Sequence, residues 1–426
     1  MPLGIYISVP FCRTKCSYCN FASDVFSKAA YENYVARLGE DIAAARQLAL
    51  QLDCSLDDGT ADSIYLGGGT PSILDASQLR RIFAAVRDQF AVTPDAEITV
   101  ECAPGTLTPA LIDTLLRCGV QRVSLGVQSF VDQEAQSVGR LHKREAVLQE
   151  IIRLREAGLI NINLDLIAGL PHQTAESWAF SVSEAIAIGV PHVSVYMLEV
   201  DEDSRLGREL IAGGARYHAH CVPDDDKTAD FYQQACEMLK CAGVRQYEIS
   251  NFARIESHRQ NGHLRSEVFN NASRHNLKYW MRQPYLGFGV DAHSMLQSAA
   301  ESPHAVRFAT PDALDAYMNR VPHTVISVSA QAAIEEEFFL GLRLNRGIDL
   351  EDMRKERLWN EQGSSHAINT WESAIQQCVQ EDLLEQQGAI LRLTARGRLL
   401  SNEVFARFLI ESTKRTTVGT GHVNPR

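Results

Sequence analysis

Between residue 4 and about residue 200 the chain alternates short β-branched runs with longer amphipathic stretches. GIYISV (4–9), DSIYLGG (62–68), AEITVEC (96–102), QRVSLGV (121–127), INLDLIA (162–168) and HVSVYML (192–198) read as strands. Between them, segments such as YENYVARLGEDIAAARQLAL, ASQLRRIFAAVRDQF, PALIDTLLRCG, REAVLQEIIRLREAG and AESWAFSVSEAIAIG carry helical spacing, and several stop at Gly. Ser27 and Thr108-Pro109 are suited to start helices, by side-chain capping and by a proline in the first turn. Six β-α units in a row imply an α/β fold with a parallel sheet and right-handed crossovers. A doubly wound sheet and an open, partial barrel both fit, since the units are too few for a closed eight-fold barrel. In either case chemistry belongs at the C-terminal ends of the strands.

After residue 200 the rhythm changes. An irregular stretch with Gly213-Gly214 precedes a helical pattern (DDKTADFYQQACEMLKCAG) and a short strand (QYEIS). Residues 254–303 are loop-like and dense in Asn, His and aromatics. From about 330 helices return, followed by an apolar strand pair around ILRLT and a last helix, ARGRLLSNEVFARFLI, in a winged-helix-like order. The expected division is 1–300, with its core at 4–200, and a mostly helical unit at 301–426 whose tail from 412 reads as disordered. No repeat beyond the β-α alternation is visible.

The chain has 426 residues, 45% hydrophobic and 22% charged, with a net charge of −12. That is a soluble composition, and the charge argues against a broad grip on nucleic acid or anionic lipid. The basic ARGRLL and ESTKR segments sit among acidic helices, which argues against a nucleic-acid-binding winged helix. With no membrane-length apolar run and no signal or transit pattern before the first strand, the expected location is the cytoplasm, where thiols stay reduced.

Ten cysteines are present, and only Cys12, Cys16 and Cys19 cluster, in VPFCRTKCSYCNF just after the first strand. Structural zinc asks for four ligands and a redox dithiol for Cys-x2-Cys. Three close thiolates suit an iron–sulfur cube with one iron left open. LGGGTPS, with Gly67, Gly68, Gly69 and Thr70, follows the second strand and lets backbone groups approach a ligand, though a glycine run is also an ordinary tight turn. Glu101 and Gln128 end the third and fourth strands; a carboxylate at a strand end is often only solvated. Asp165 lies inside the apolar run INLDLIAGLP, where a charge must be paired or bonded.

The cysteine spacing resembles that of the radical S-adenosylmethionine (SAM) superfamily. The resemblance implies a partial parallel (β/α)6 barrel holding a [4Fe-4S] cluster whose free iron binds the amino and carboxylate groups of SAM. It places Tyr18 beside the adenine and the 67–70 loop at the SAM amino group. It offers Asp165 a ribose hydroxyl, and Arg140, with Lys143 or Arg144 as rivals, the SAM carboxylate.

YISVPFC, GGGTPS, LGVQSF, LDLIAGLP and YEISNFA together resemble the oxygen-independent coproporphyrinogen III oxidase family over roughly residues 4–300. By that likeness Tyr6 also lies near SAM. Two branches compete: enzymes that oxidatively decarboxylate coproporphyrinogen III, and HemW-like proteins that bind heme and deliver it to apoproteins. The enzymes carry a fourth cysteine where this chain has Phe21, and an N-terminal extension over the site, whereas three residues precede the first strand here. HNxxYW, at His275 to Trp280, looks like the heme-branch motif and makes His275 a candidate axial ligand, with His293 behind it. A His beside Asn also commonly bonds to backbone, and the aromatics nearby also suit a core. The expected function is therefore heme delivery, with cluster, SAM and heme as cofactors, a heme-receiving apoprotein that can be membrane-associated as partner, an electron donor, and no nucleic acid. Porphyrinogen oxidation is the alternative.

Overall fold

The computed structural model describes residues 1–410 except 57–58, 261–262, 269, 300–303 and 356–364. The disordered tail expected from 412 lies outside the described residues. Strands β1 (Leu3–Val9), β2 (Thr60–Gly68), β3 (Ala91–Cys102), β4 (Arg122–Gln128), β5 (Asn161–Ala168) and β6 (His192–Met197) alternate with helices, including α1 (Lys28–Gln51), α2 (Ala76–Gln89), α3 (Pro109–Arg117), α4 (Asp132–Ser137), α5 (Arg144–Glu156) and α6 (Ala175–Ile188). All six strands run parallel in sequence order. This is the expected partial (β/α)6 barrel.

The helix starts follow from their caps. Thr108 Oγ1 accepts the Leu111 N–H at 3.2 Å, with Pro109 as first residue of α3. Ser27 takes the N-cap position of α1 without a side-chain bond. Asp75 caps α2 reciprocally with Gln78: its carboxylate accepts the Gln78 N–H at 2.9 Å, and the Gln78 carbonyl oxygen accepts the Asp75 N–H at 3.0 Å.

Among the described residues the sheet has twelve strands, six more than the β-α pattern predicts. Beyond β6 lie β8 (Asn251–Arg254), antiparallel to β6, and β7 (Val244–Gln246), antiparallel to β8. On the other side β11 (Tyr285–Phe288) pairs parallel with β1, and β12 (His293–Gln297), β13 (Ala305–Ala309) and β14 (Thr324–Val328) follow as an antiparallel meander. The sheet therefore continues past residue 300, where the sequence pattern placed the start of the C-terminal unit. Between β8 and β11 come the hairpin β9 (Glu256–Gln260)–β10 (His263–Val268) and a short helix at Arg274–Trp280.

From Ala330 onward the chain builds helices around a separate apolar cluster of Phe338, Trp371, Leu391 and Phe408, with a three-stranded antiparallel sheet from residues 348–349, 384–387 and 390–393. The expected last helix is broken into Ala395–Leu399 and Ser401–Ala406.

Period-two alternation sorts each barrel strand into two faces. In β1, Leu3, Ile5, Ile7 and Val9 pack outward into the main core, which the helices cover. The other face, inside the barrel, is polar. The register sets Gly4 beside Ser63 and Tyr6 beside Tyr65, and further round Ser124 beside Asn163 and Asn163 beside His192. Ser63, Glu97, Thr99, Arg122, Ser124, Asn163, His192 and Ser194 are all buried. A polar interior persists only when it is largely bonded; here Thr99 Oγ1 and Arg122 Nε lack a partner among the described residues, and a network joins the rest of the β4–β6 face. Asn163 Nδ2 donates to Ser124 Oγ, Asp165 Oδ1 and Ser194 Oγ at 2.7, 2.7 and 3.0 Å. His192 spans Asn163 Oδ1 and the Tyr247 hydroxyl at 2.6 and 2.9 Å.

Candidate cluster and cofactor site

The cysteine loop leaves the C-terminal end of β1 and is stitched down on every side. The Cys12 N–H donates to the Asp24 carbonyl and the Asp24 N–H to the Pro10 carbonyl, both at 3.0 Å. The Gly69 and Thr70 amides donate to the Val9 and Phe11 carbonyls at 2.8 Å. The Ser17 N–H donates to the Val138 carbonyl at 3.1 Å and Thr14 Oγ1 to the Gly139 carbonyl at 3.0 Å. From the far side, α7 (Arg205–Ile211) contributes the Leu206 N–H to the Ser17 carbonyl and the Arg205 guanidinium to the Lys15 carbonyl.

Cys12, Cys16 and Cys19 are all free and partly exposed. Burial pushes the Cys12 thiol up, against hydrogen bonds from Ser23 and Thr70; the Thr70 Oγ1–Cys12 Sγ distance is 3.8 Å. Burial likewise raises the Cys19 thiol, against a bond to the Phe21 backbone. Thiols in this setting ionise together only when a cation balances them, as the irons of a cluster do. Among the described residues no three His, Cys, Asp or Glu side chains close on a single-ion point. In a cube each iron takes its own thiolate, so its ligands stand further apart.

The glycine loop is shaped by close approach. A Cβ on Gly69 would lie 2.7 Å from the Phe11 carbonyl oxygen and 2.8 Å from that of Val9; Gly68 has φ of +98°. A Cβ on Gly67 would press on Tyr65 at 2.9 Å and on the Glu101 carboxylate at 3.0 Å. Glu101 accepts from the Tyr65 hydroxyl at 2.8 Å, so it is held rather than solvated. Tyr6, Ser8, Phe21, Gly68 and Gly69 line one small recess at this end of the barrel.

Arg140 comes from the wall behind the loop. Its guanidinium lies over Gly126, and its Nε is buried without a hydrogen-bond partner. Burial works against its charge, but Tyr18 and the three cysteines hold it protonated more firmly than usual. An unpaired buried guanidinium nitrogen beside three thiols suits an anionic ligand such as an amino-acid carboxylate. Its rivals point elsewhere: Arg144 pairs with Glu184 at 2.6 Å, and Lys143 is exposed at the start of α5. Tyr18 packs with Val138, Ile167, Leu170 and Leu198, and its burial raises the phenol. Gln128 sits at a register slip in β4 with φ of +68°. Asp165 accepts from Ser124 at 2.8 Å and from Asn163 at 2.7 Å, with Ser194 a further side-chain partner; burial raises its carboxyl against these bonds.

Residues 6–183 match the model of the radical SAM superfamily, and residues 328–400 match that of the HemN C-terminal domain. The heme chaperone HemW of Lactococcus lactis subsp. lactis (strain IL1403) is 30% identical over 96% of this chain and 98% of its own length. The heme chaperone HemW of Bacillus subtilis (strain 168) is 31% identical over 95% and 99%. This chain belongs to the HemW family. The fold of this HemW relative also matches coproporphyrinogen III oxidase (HemN) from Escherichia coli, a radical SAM enzyme, at a TM-score of 0.76 and 22% identity over 96% of this chain and 90% of that one.

His275 lies one layer beneath this site, its ring stacked on Tyr65 at 5.4 Å and 6.4 Å from that of Tyr6. It stands on the helix Arg274–Trp280, here α9, which follows α8 (Asp225–Cys241) and plugs the opposite, N-terminal end of the barrel. Its Nδ1 shares a hydrogen bond with Ser63 Oγ at 3.0 Å, its Nε2 with the Tyr279 hydroxyl at 2.8 Å, and its N–H donates to Glu97 at 3.2 Å. The imidazole is 1% exposed, and burial, with Lys278 nearby, lowers its pKa to about 3. Both ring nitrogens are engaged, so the axial-ligand role expected from HNxxYW is open to it only if α9 withdraws. Trp280 is core beneath Arg343, and His293 is exposed beside Asp291.

Sequence reasoning missed Tyr65, Ser8, Ser124 and Asn163. Their small or polar side chains on alternating strand positions read as one solvated face, because nothing local says that the sheet curls to enclose it.

Proposed function

We propose that this chain is a heme chaperone that keeps a [4Fe-4S] cluster and a SAM site. The observation that carries the reading is that relatives named as heme chaperones align over 95–96% of the chain. In this reading Cys12, Cys16 and Cys19 hold three irons, and the cluster, when bound, supplies one-electron reduction at its open iron. Arg140 meets the SAM carboxylate, the Gly67–Thr70 loop its amino group, and Asp165 and Gln128 the ribose side. Tyr18 borders the adenine. Tyr6, Phe21 and Glu101 with its Tyr65 partner close the wall and keep water from the reacting end. The partners are heme, a heme-receiving apoprotein that can be membrane-associated, and an electron donor. Among the described residues no helix is long and apolar enough to cross a membrane, and a cytoplasmic location is part of the proposal.

The test pairs two assays on anaerobically reconstituted protein. Hemin titration followed by transfer to an apo-hemoprotein should give binding and delivery. Coproporphyrinogen III with SAM and reductant should give no protoporphyrinogen. Turnover in the second assay without transfer in the first reverses the reading.

A further inference from the structure

A cavity of about 630 Å³ opens beside the cysteine loop, between it and the 136–141 segment. That is within the roughly 300–1,000 Å³ of small-molecule sites. Its lining includes Arg13, Lys15, Leu141, Arg205, Tyr217 and His218. Apolar groups that folding normally hides are left open around it: Leu141 is 67% exposed, Val25 on the same rim 56% and Tyr217 38%. The cations stand beside them. Arg13 is exposed, and Arg205 lies over the Tyr217 ring at 5.8 Å. A basic edge joined to an apolar face selects a flat apolar molecule with carboxylates on one side.

The histidines add a metal preference. His218 Nδ1 lies 3.1 Å from His172 Nε2. With Nδ1–H donating to His172, the His218 Nε2 lone pair is left for a ligand, the arrangement by which a second group fixes the tautomer of a metal-bound imidazole. Tyr217, His218 and His172 all adopt left-handed backbone, with φ of 55°, 57° and 69°. Such conformations in non-glycine residues gather at ligand clamps.

We propose that this cavity is a heme seat, with His218 Nε2 as axial ligand to the iron, Tyr217 and Leu141 against the porphyrin, and Arg13, Lys15 and Arg205 facing the propionates. The placement rests on the heme reading above and puts the ligand beside the cluster loop rather than at His275, the residue the HNxxYW motif suggests.

The test is hemin titration of the full chain with its cluster in place, comparing wild type with His218→Asn, Arg13→Gln and His275→Ala. Asn is chosen because it tolerates left-handed backbone and His218 is exposed, so the fold is kept. The wild type should show an imidazole-type Soret band. His218→Asn should lose that band and weaken hemin at least tenfold, with the cluster absorbance unchanged; free imidazole added to His218→Gly should restore the band. Arg13→Gln should weaken hemin but not hemin dimethyl ester, which lacks the carboxylates. His275→Ala should titrate as wild type. The site is overturned if His218→Asn binds like wild type, or if these variants slow reduction of the cluster by an acidic redox protein while hemin binding is untouched. A wild type that binds no hemin removes the chaperone reading itself, and the site with it.

Discussion

A side chain at residue 126 and the guanidinium of Arg140 cannot share the same space: a Cβ on Gly126 would stand 2.7 Å from Arg140 Nη2. The glycine in β4 is therefore the opening through which an arginine from the 138–141 wall reaches the cysteines.

That relationship predicts the effect of Gly126→Ala. The cluster ligands are untouched, but the guanidinium is pushed off its line. A charged hydrogen bond to a carboxylate contributes about 1.5–3 kcal/mol, so SAM affinity should fall roughly tenfold or more. Equilibrium dialysis with the reconstituted protein checks this. Unchanged affinity, with Arg140→Gln also unchanged, takes Arg140 out of the SAM site.

Cys16→Ser should abolish the broad visible absorbance of the cluster and lower bound iron to background, because a hydroxyl is a far poorer ligand than a thiolate to the irons of a cube. Retained iron with a normal spectrum would show that the loop is not the cluster ligand set.

Much of this was legible in the chain. The six barrel strands, the Thr108-Pro109 helix start and the cysteine loop follow from local spacing, because alternation, capping and ligand number are local properties. What was not legible is non-local. Nothing at Tyr285 says that it pairs beside Gly4 and adds a seventh parallel strand. Alternation in β4 and β5 marks Ser124 and Asn163 as one face, but only closure of the sheet turns that face inward and brings His192 and Tyr247 to it. His275 shows the same limit. Its motif was visible, but its enclosure depends on Ser63 in β2, brought to it only by the fold. Gln128 and His218 carry left-handed backbone that their residue types do not announce.

His275 gives a pH-dependent prediction. Its pKa is about 3 in the fold against an ordinary value of 6.5. Above pH 6.5 neither state binds the proton and the group has no effect. Below it the unfolded chain takes a proton that the native imidazole refuses, so stability falls by about 1.4 kcal/mol per pH unit until pH nears 3. His142, lowered to about 4 by burial and by Arg140, adds to the loss over a similar window. His275→Gln should cost about 1–3 kcal/mol at pH 7 through the bonds to Ser63 and Tyr279. It should also flatten the pH 6 to 4 slope by one proton. Urea midpoints across that range test both, and an unchanged slope would mean that the imidazole is charged in the fold.

Gly69→Ala tests the stitch between the glycine loop and the cysteine loop. Its Cβ would meet two carbonyl oxygens, of Phe11 and Val9, and neither can swing aside, because each accepts a backbone bond from the 69–70 turn. Relief must come from separating the two loops, at about 1–3 kcal/mol, the usual cost of overpacking. The separation moves Thr70 away from Cys12, so the variant should both unfold at lower urea and lose its cluster faster to a chelator than wild type. Gly105→Ala is the control: unlike Gly69 it has positive φ, at +81°, and nothing lies within 4 Å of its Cβ. Its stability should fall through backbone strain while the cluster keeps its wild-type lifetime. Equal cluster loss in both variants would trace the effect to global stability rather than to the stitch.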